Sequence, residues 1–404
     1  MLEGENIICF AKDWSEDPTS NNHVMRLLAR NNNVLWLNSI GLRKPNLGSR
    51  GDLGKMWKKV KSFTEGPVQV EERMWVFTPL VVPLPASAWA TVVNQQILKA
   101  SLVWLRRRLG MKSYQLWTFL PNVVQHIGAL DPSLVVFYCT DEFSQFSYLD
   151  GARLAQWDNE LCRRADVVFA TAHSLWEKRR PLNPNTYLAS HGVDQTHFAQ
   201  ALKDDLPVAD ELAGIEGPVV GFFGLIHDWI DQDLLAYVAE QRPGWTLAVI
   251  GKAAVDTSRL ARLPNVKLLG RKAYADLPRY CKRFSVGLLP FVVNELTRNV
   301  NPIKMREYLS AGVPVVSTNL PEARAQGDLC AIAETREAFL SACDAAIAND
   351  TPEKRRERSL AMKKETWEAK VAELGRIVAE VRDKRPPGEG KGQGPAARVL
   401  KVAK

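Results

Sequence analysis

Short, nearly continuous apolar runs alternate with longer stretches whose apolar positions recur at helical spacing. The runs at 5–11 (ENIICFA), 33–39 (NVLWLNS), 74–85 (MWVFTPLVVPLP), 114–121 (YQLWTFLP), 133–141 (SLVVFYCTD), 166–172 (DVVFATA) and 186–194 (TYLASHGVD) predict strands. Helical patterns fill residues 19–30 and 90–110. After a polar, acidic stretch over 199–216, the pattern restarts with 218–224 (PVVGFFG), 246–251 (TLAVIG), 266–270 (VKLLG), 286–291 (VGLLPF) and 313–318 (VPVVST). Strands that are apolar on both faces and separated by helices predict parallel sheets covered on each side. Two successive α/β, doubly wound domains follow, over 1–200 and 217–362, with 201–216 as the linker.

The length of 404 residues suits two domains, each large enough for its own core. Hydrophobic residues make up 46% and charged residues 24%, which excludes a disordered or collagen-like chain. None of the six cysteines forms a CxxC pair, so there is no zinc-ribbon or redox motif. Buried, reduced thiols and a cytoplasmic location are expected. The N-terminal residues lack the pattern of a signal peptide, and no uncharged apolar run reaches membrane-spanning length. The net charge of +8 favours anionic partners. Residues 382–404 are rich in Gly, Pro and Lys and alone carry a net +5, so 383–404 reads as a disordered basic tail.

The loops after the strands are the places for chemistry, because ligands of open parallel sheets sit beyond the strands' carboxyl ends. The most informative stretch is 290–318 (PFVVNELTRNVNPIKMREYLSAGVPVVST). Pro302 suits a helix start, and Gly312 suits its end. Lys304 falls in the first turn, beside free backbone N–H groups, and Glu307 lies three residues on, on the same face. Together they form an anion site suited to a diphosphate, with Glu307 placed for ribose hydroxyls. The plainer alternative is a surface Lys–Glu pair.

This segment resembles the donor-binding segment of GT-B glycosyltransferases, in which a Glu-bearing helix is followed by a small residue, Gly and a strand (here EYLSAGVPVVST). Residues 218–235 resemble the opening strand, turn and helix of that family's donor domain. Residues 246–252 and 263–291 resemble its middle. Residues 166–198 resemble its hinge-side segment, and Trp367 within 363–374 resembles its late Trp-bearing helix. The resemblance covers most of 5–382. It implies two Rossmann-like domains facing across a cleft, with acceptor binding in 1–200 and nucleotide-sugar binding in 217–362. It also implies a helix over 363–382 that crosses back to the first domain. The retaining GT4 branch carries Glu, seven residues, then Glu; here Asn299 stands at the first position. Its first donor-domain turn usually holds Arg or Lys; Gly224–Asp231 holds neither. Both departures move the resemblance towards bacterial polysaccharide transferases, including inverting glucuronosyltransferases.

The resemblance implies a glycosyltransferase that uses a nucleotide-diphosphate sugar, UDP-linked, and a saccharide or lipid-linked acceptor in exopolysaccharide assembly. Donor residues are then Lys304, Glu307, Gly224, Arg298, Asn299, His227 and Arg271. An inverting transferase needs a general base for the acceptor hydroxyl. Asp141, at the end of the fifth predicted strand, is the first candidate; Glu142 and Asp13 compete, and all three have capping roles as alternatives. Asp231-Gln-Asp233 matches a metal-binding DxD pattern, but at a helix start it reads as a cap. No metal and no cofactor are expected. The basic, Trp-bearing stretches 55–63 and 101–112 suit an anionic membrane face or a solvated helix. Peripheral contact at the inner membrane face is therefore expected, and no nucleic-acid motif is present. Two further readings remain: a UDP-sugar 2-epimerase of the same architecture, or a non-catalytic basic scaffold for membrane or nucleic acid.

Overall fold

The computed structural model describes residues 2–42, 50–85 and 87–384. The basic tail expected over 383–404 lies, from Arg385 onward, outside the described residues. The chain divides into two compact units, one of residues up to Ser190 together with those from Val371, the other of His191–Lys370.

In the first unit, strands β1 (Asn6–Phe10), β2 (Asn33–Leu37), β3 (Val68–Glu71), β4 (Met74–Phe77), β5 (Gln115–Thr118), β6 (Leu134–Cys139), β7 (Val167–Ala170) and β8 (Thr186–Leu188) form one sheet. Their order is β3-β4-β2-β1-β5-β6-β7-β8. All neighbours are parallel except β3, which pairs antiparallel with β4 at the edge. The central strands are buried along their length, as their unbroken apolar runs require. Helices α1 (Ser20–Ala29), α2 (Arg50–Glu65), α3 (Ala88–Leu109) and α4 (Gly151–Arg164) link the strands. At the start of α1 the Thr19 N–H donates to Asn22 Oδ1 at 3.0 Å.

The second unit holds β9 (Val219–Phe223), β10 (Thr246–Ile250), β11 (Val266–Gly270), β12 (Val286–Leu289), β13 (Val315–Thr318) and β14 (Cys330–Ala333). Their order, β11-β10-β9-β12-β13-β14, is the doubly wound 3-2-1-4-5-6 arrangement, and every pair is parallel. Helices α5 (Gln232–Gln241), α6 (Ile303–Ser310) and α7 (Trp367–Asp383) are the ones that matter below. Gly287 on β12 lets α6 lie close to the sheet: a Cβ there would stand 2.6 Å from the Tyr308 ring. Gly312 ends α6 in the left-handed region, φ +77°, where a side chain is strained.

Several expectations change. The strand expected over 74–85 stops at Phe77, because Pro79, Pro83 and Pro85 cannot donate to a ladder. The strand expected over 186–194 stops at Leu188. Strands β3 and β14 were not anticipated. The second unit begins at His191 rather than after 200. The stretch expected as a linker buries Ala201, Ala209 and Leu212 in the second unit's core. Residues 367–370 of α7 belong to the second unit and the rest to the first.

Candidate functional site

In the second unit, strand order reverses between β9 and β12, so ligands are expected beyond the carboxyl ends of those strands. The helix that points into this region is α6. Pro302 is its cap residue, φ −74° and ψ 110°, one place before the first turn. Lys304 therefore falls in the first turn, with its ammonium 5.2 Å from the centroid of the Phe223 ring and 3.0 Å from Glu307 Oε2. Glu307 is buried, while Lys304 is half-exposed. The expected same-face pair is thus formed, but it is not a surface pair: its carboxylate is 4% exposed and its lysine packs over an aromatic face. An ammonium keeps further donors when one is used by Glu307. Gly224 lies alongside, since a Cβ there would sit 3.7 Å from Lys304 Cε.

The helix is fixed at two points. The Tyr308 hydroxyl accepts a 2.9 Å hydrogen bond from the Phe223 N–H, which ties α6 to the end of β9. Arg306, 2% exposed, donates to Asn301 Oδ1 at 2.6 Å and to Glu365 Oε2 at 3.4 Å. Asn301 in turn donates to Glu322. His191 is buried against Trp367, and burial, with Arg306 and Lys304 nearby, pushes its pKa down to about 3. It is therefore neutral at ordinary pH.

The remaining donor candidates spread around this centre. Asn299 is buried on the loop before α6; its amide donates to the Glu295 carbonyl at 2.5 Å, and its Oδ1 is buried without a hydrogen-bond partner. Such an acceptor calls for a donor that the described residues do not supply. Arg298 is exposed at the end of a short helical turn. His227 stacks on Trp229 at 4.1 Å and pairs with Asp228. Arg271 lines a cavity of about 340 Å³ with Ile226, Gly251, Lys252 and Thr257, beyond β10 and β11, and Lys304 is not part of that lining. Asp231 caps α5 by accepting from the Leu234 N–H at 2.8 Å, the capping role read from its sequence position.

The three candidate bases lie in the first unit. Asp141 follows β6 and is half-buried, and burial raises its carboxyl pKa, opposed by a hydrogen bond from Thr140. Glu142 differs. Its Oε1 accepts from Ser144 at 2.8 Å, and its Oε2 lies 3.5 Å from Arg179 and 3.8 Å from Lys178. Arg179, 2% exposed, also pairs with Asp158 at 3.0 Å. Glu142 is thus committed to the ion cluster that holds the loop after β6. Asp13 follows β1, accepts from the Ser39 N–H at 3.0 Å and lies 3.4 Å from Lys59. Sequence reasoning missed Phe223, Tyr308 and Arg306, because an apolar strand end and a helix interior carry no chemical signal of their own.

Each unit is a doubly wound sheet, the first of eight strands with an antiparallel edge and the second of six parallel strands, and this pair of sheets is the GT-B architecture. Residues 217–349, all within the second unit, match the family model "Glycosyl transferases group 1". The putative teichuronic acid biosynthesis glycosyltransferase of Bacillus subtilis (strain 168) is 32% identical over 169 residues, 40% of this chain and 42% of that relative. The match therefore spans less than half of that relative. Among solved structures, sucrose-phosphate synthase from Thermosynechococcus elongatus superposes with TM-score 0.68 at 15% identity, covering 94% of this chain and 100% of that one. Anabaena HepE in complex with UDP gives 0.63 at 14%, covering 94% and 100%. An α,α-trehalose 6-phosphate synthase from Burkholderia multivorans gives 0.65 at 13%, covering 100% of both. These identities speak for a shared fold.

Proposed function

We propose that this chain is a glycosyltransferase that takes a sugar from a UDP-linked donor held by the second unit. The observation that carries the reading is the buried Glu307 paired with Lys304 on the first turn of α6, at the switch point of a group 1 glycosyl transferase domain. UDP is favoured because a structural neighbour binds it. Lys304 and the free N–H groups of α6 stabilise the departing diphosphate, where negative charge grows in the transition state. Glu307 accepts from the ribose hydroxyls. Arg298, Asn299 and His227 serve the phosphate or the sugar, and the Arg271 cavity takes the base. With this cation in place the reaction requires no metal.

The first unit binds the acceptor, a saccharide that is free or lipid-linked, in surface or exopolysaccharide assembly. The Asp141 carboxylate takes the proton of the acceptor hydroxyl. The acceptor oxygen bonds to the anomeric carbon, the bond from that carbon to the diphosphate breaks, and UDP leaves with the electron pair. A raised pKa suits Asp141 to this role, since a stronger base accepts the proton more readily. No helix among the described residues is long and apolar enough to cross a membrane. The protein works in the cytoplasm and meets the inner membrane face peripherally, through basic, Trp-bearing surface.

A thermal-shift panel of UDP-, GDP- and dTDP-sugars tests the donor assignment. UDP-sugars should raise the melting temperature, and Lys304→Ala should weaken UDP binding by about 10- to 100-fold, the worth of a charge-assisted hydrogen bond. Unchanged binding in the variant would sink the assignment.

A further inference from the structure

The loop after β6 presents three consecutive polar residues in different ways. Thr140 and Glu142 are buried, and Asp141 between them is only half-buried. Each buried neighbour is fastened to a different part of the first unit. The Thr140 carbonyl accepts from the Thr171 hydroxyl at 2.9 Å, just past β7. Glu142 is fastened by Arg179, the last residue of the helix His173–Arg179. Beneath Asp141 itself, the Cys139 thiol donates to its carbonyl at 3.5 Å. The Asp141 carboxyl is thus held from both sides and displayed in the middle.

Arg179 does not serve Glu142 alone. One of its nitrogens, Nη2, stands 3.0 Å from Asp158 Oδ2 on α4 and 3.5 Å from Glu142 Oε2. A single guanidinium therefore joins the loop to two helices. Those helices are tied to each other by Asn183. Its N–H donates to the Arg179 carbonyl at 3.1 Å, and its amide donates to the Cys162 and Ala165 carbonyls, both at 2.8 Å. Gly151, at the start of α4, lets the loop lie close, since a Cβ there would run into the Ser144 carbonyl. Lys178, 3.8 Å from Glu142 Oε2, is more exposed and contributes less.

Stability does not account for this cluster. Two carboxylates and an arginine give up their hydration here, and apolar side chains of the same volume hold a loop as firmly. Among the described residues, Arg179 Nε and Asp158 Oδ1 also lack hydrogen-bond partners. What a guanidinium adds is direction, because its planar, fixed donors set where a carboxylate lies.

We propose that Arg179 is a positioning residue: through Glu142 it fixes the loop that presents Asp141 to the acceptor hydroxyl. The assignment rests on the glycosyltransferase reading with Asp141 as the base. It makes Glu142 a support for that base rather than a second base.

The test uses Arg179→Lys and Glu142→Gln in the full-length protein, each alone and combined with Asp141→Asn. Arg179→Lys keeps the buried charge and loses the fork, and Glu142→Gln keeps the shape and loses the charge, so both should fold. Turnover is read as UDP released from UDP-glucose, UDP-N-acetylglucosamine or UDP-glucuronate, whichever the parent hydrolyses fastest with water as the acceptor. Each single variant should lower kcat at least tenfold, because a small misplacement of a reacting group costs up to about 100-fold. The KM for the UDP-sugar should stay within twofold of the parent's. In the Asp141→Asn background the same changes should lower kcat less than twofold, since the group they misplace is already inert. Backbone amide exchange should quicken at least tenfold at Gln145, whose N–H donates to the Glu142 carbonyl at 3.0 Å, and stay unchanged along β5. Parent-like kcat in either single variant, equal losses in both backgrounds, or unchanged exchange at Gln145 would each overturn the proposal. Parent-like turnover by Asp141→Asn would instead count against Asp141 as the base, and no UDP release by the parent against the transferase reading. The exchange at Gln145 is independent of both.

Discussion

At the scale of single residues, the carboxylates of the first unit part company. Glu142 is held by Arg179, Lys178 and Ser144, whereas the environment of Asp141 raises its pKa by burial. Asp141→Asn should therefore lower kcat by about 10²–10⁴, the usual worth of a general base, and leave UDP binding intact. An assay of turnover beside a UDP titration separates the two effects. Two histidines govern a different property. Burial lowers the pKa of His126 to about 4 and of His191 to about 3, from an ordinary 6.5. The unfolded chain takes up these protons below about pH 6.5, while the folded chain stays neutral. Stability is then full above that pH and falls as pH drops, at a limiting slope of about 1.4 kcal/mol per pH unit for each histidine. Chemical denaturation at pH 7 and pH 5 should show this loss, and His191→Gln should reduce the difference between the two.

At the scale of elements, the proposed donor site depends on how α6 lies against β9 and β12. Gly287 leaves room for the Tyr308 ring, and the Tyr308 hydroxyl accepts from the Phe223 N–H. Gly287→Ala would drive a methyl group into that ring. Overpacking of this kind costs about 1–3 kcal/mol. The variant should lose that much stability in urea unfolding and also bind UDP more weakly, although Lys304 and Glu307 are unchanged. Binding equal to the parent's would show that the seat of α6 is not coupled to its chemistry. Most of this framework was legible in the sequence, because buried parallel strands write themselves as unbroken apolar runs such as VVGFF and LVVFYC. The elements that were not legible are edge strands. VQVE in β3 is half-polar, and CAIA in β14 has small side chains, so neither stands out from a loop. The run over 74–85 misled in the other direction: its apolar residues are real, but Phe77 ends the ladder and the remainder lines a cavity.

At the scale of the whole molecule, both sheets wind outward from their first strands in the same sense, and the second is flanked by its Lys–Glu pair. That pair was legible because its spacing of three residues fixes a shared face. The cavity of the first unit was not, because its wall is assembled from five loops and a face of α2 that are far apart in sequence. Net charge misdirects at this scale, since residues 382–404 contribute +5 of the total +8. Deleting residues 385–404 should leave UDP-induced stabilisation unchanged, as a melting curve with and without UDP would show. A loss of the shift would mean that the basic tail contributes to nucleotide binding. The six cysteines bear on how such questions are approached. All are buried, and burial raises the pKa of every thiol, so none offers a ready thiolate to a reagent in solution. For a maleimide probe the native surface is silent. A single cysteine introduced at Trp57 would then be the one reactive thiol, and a fluorophore attached there would report directly whether that face meets a vesicle.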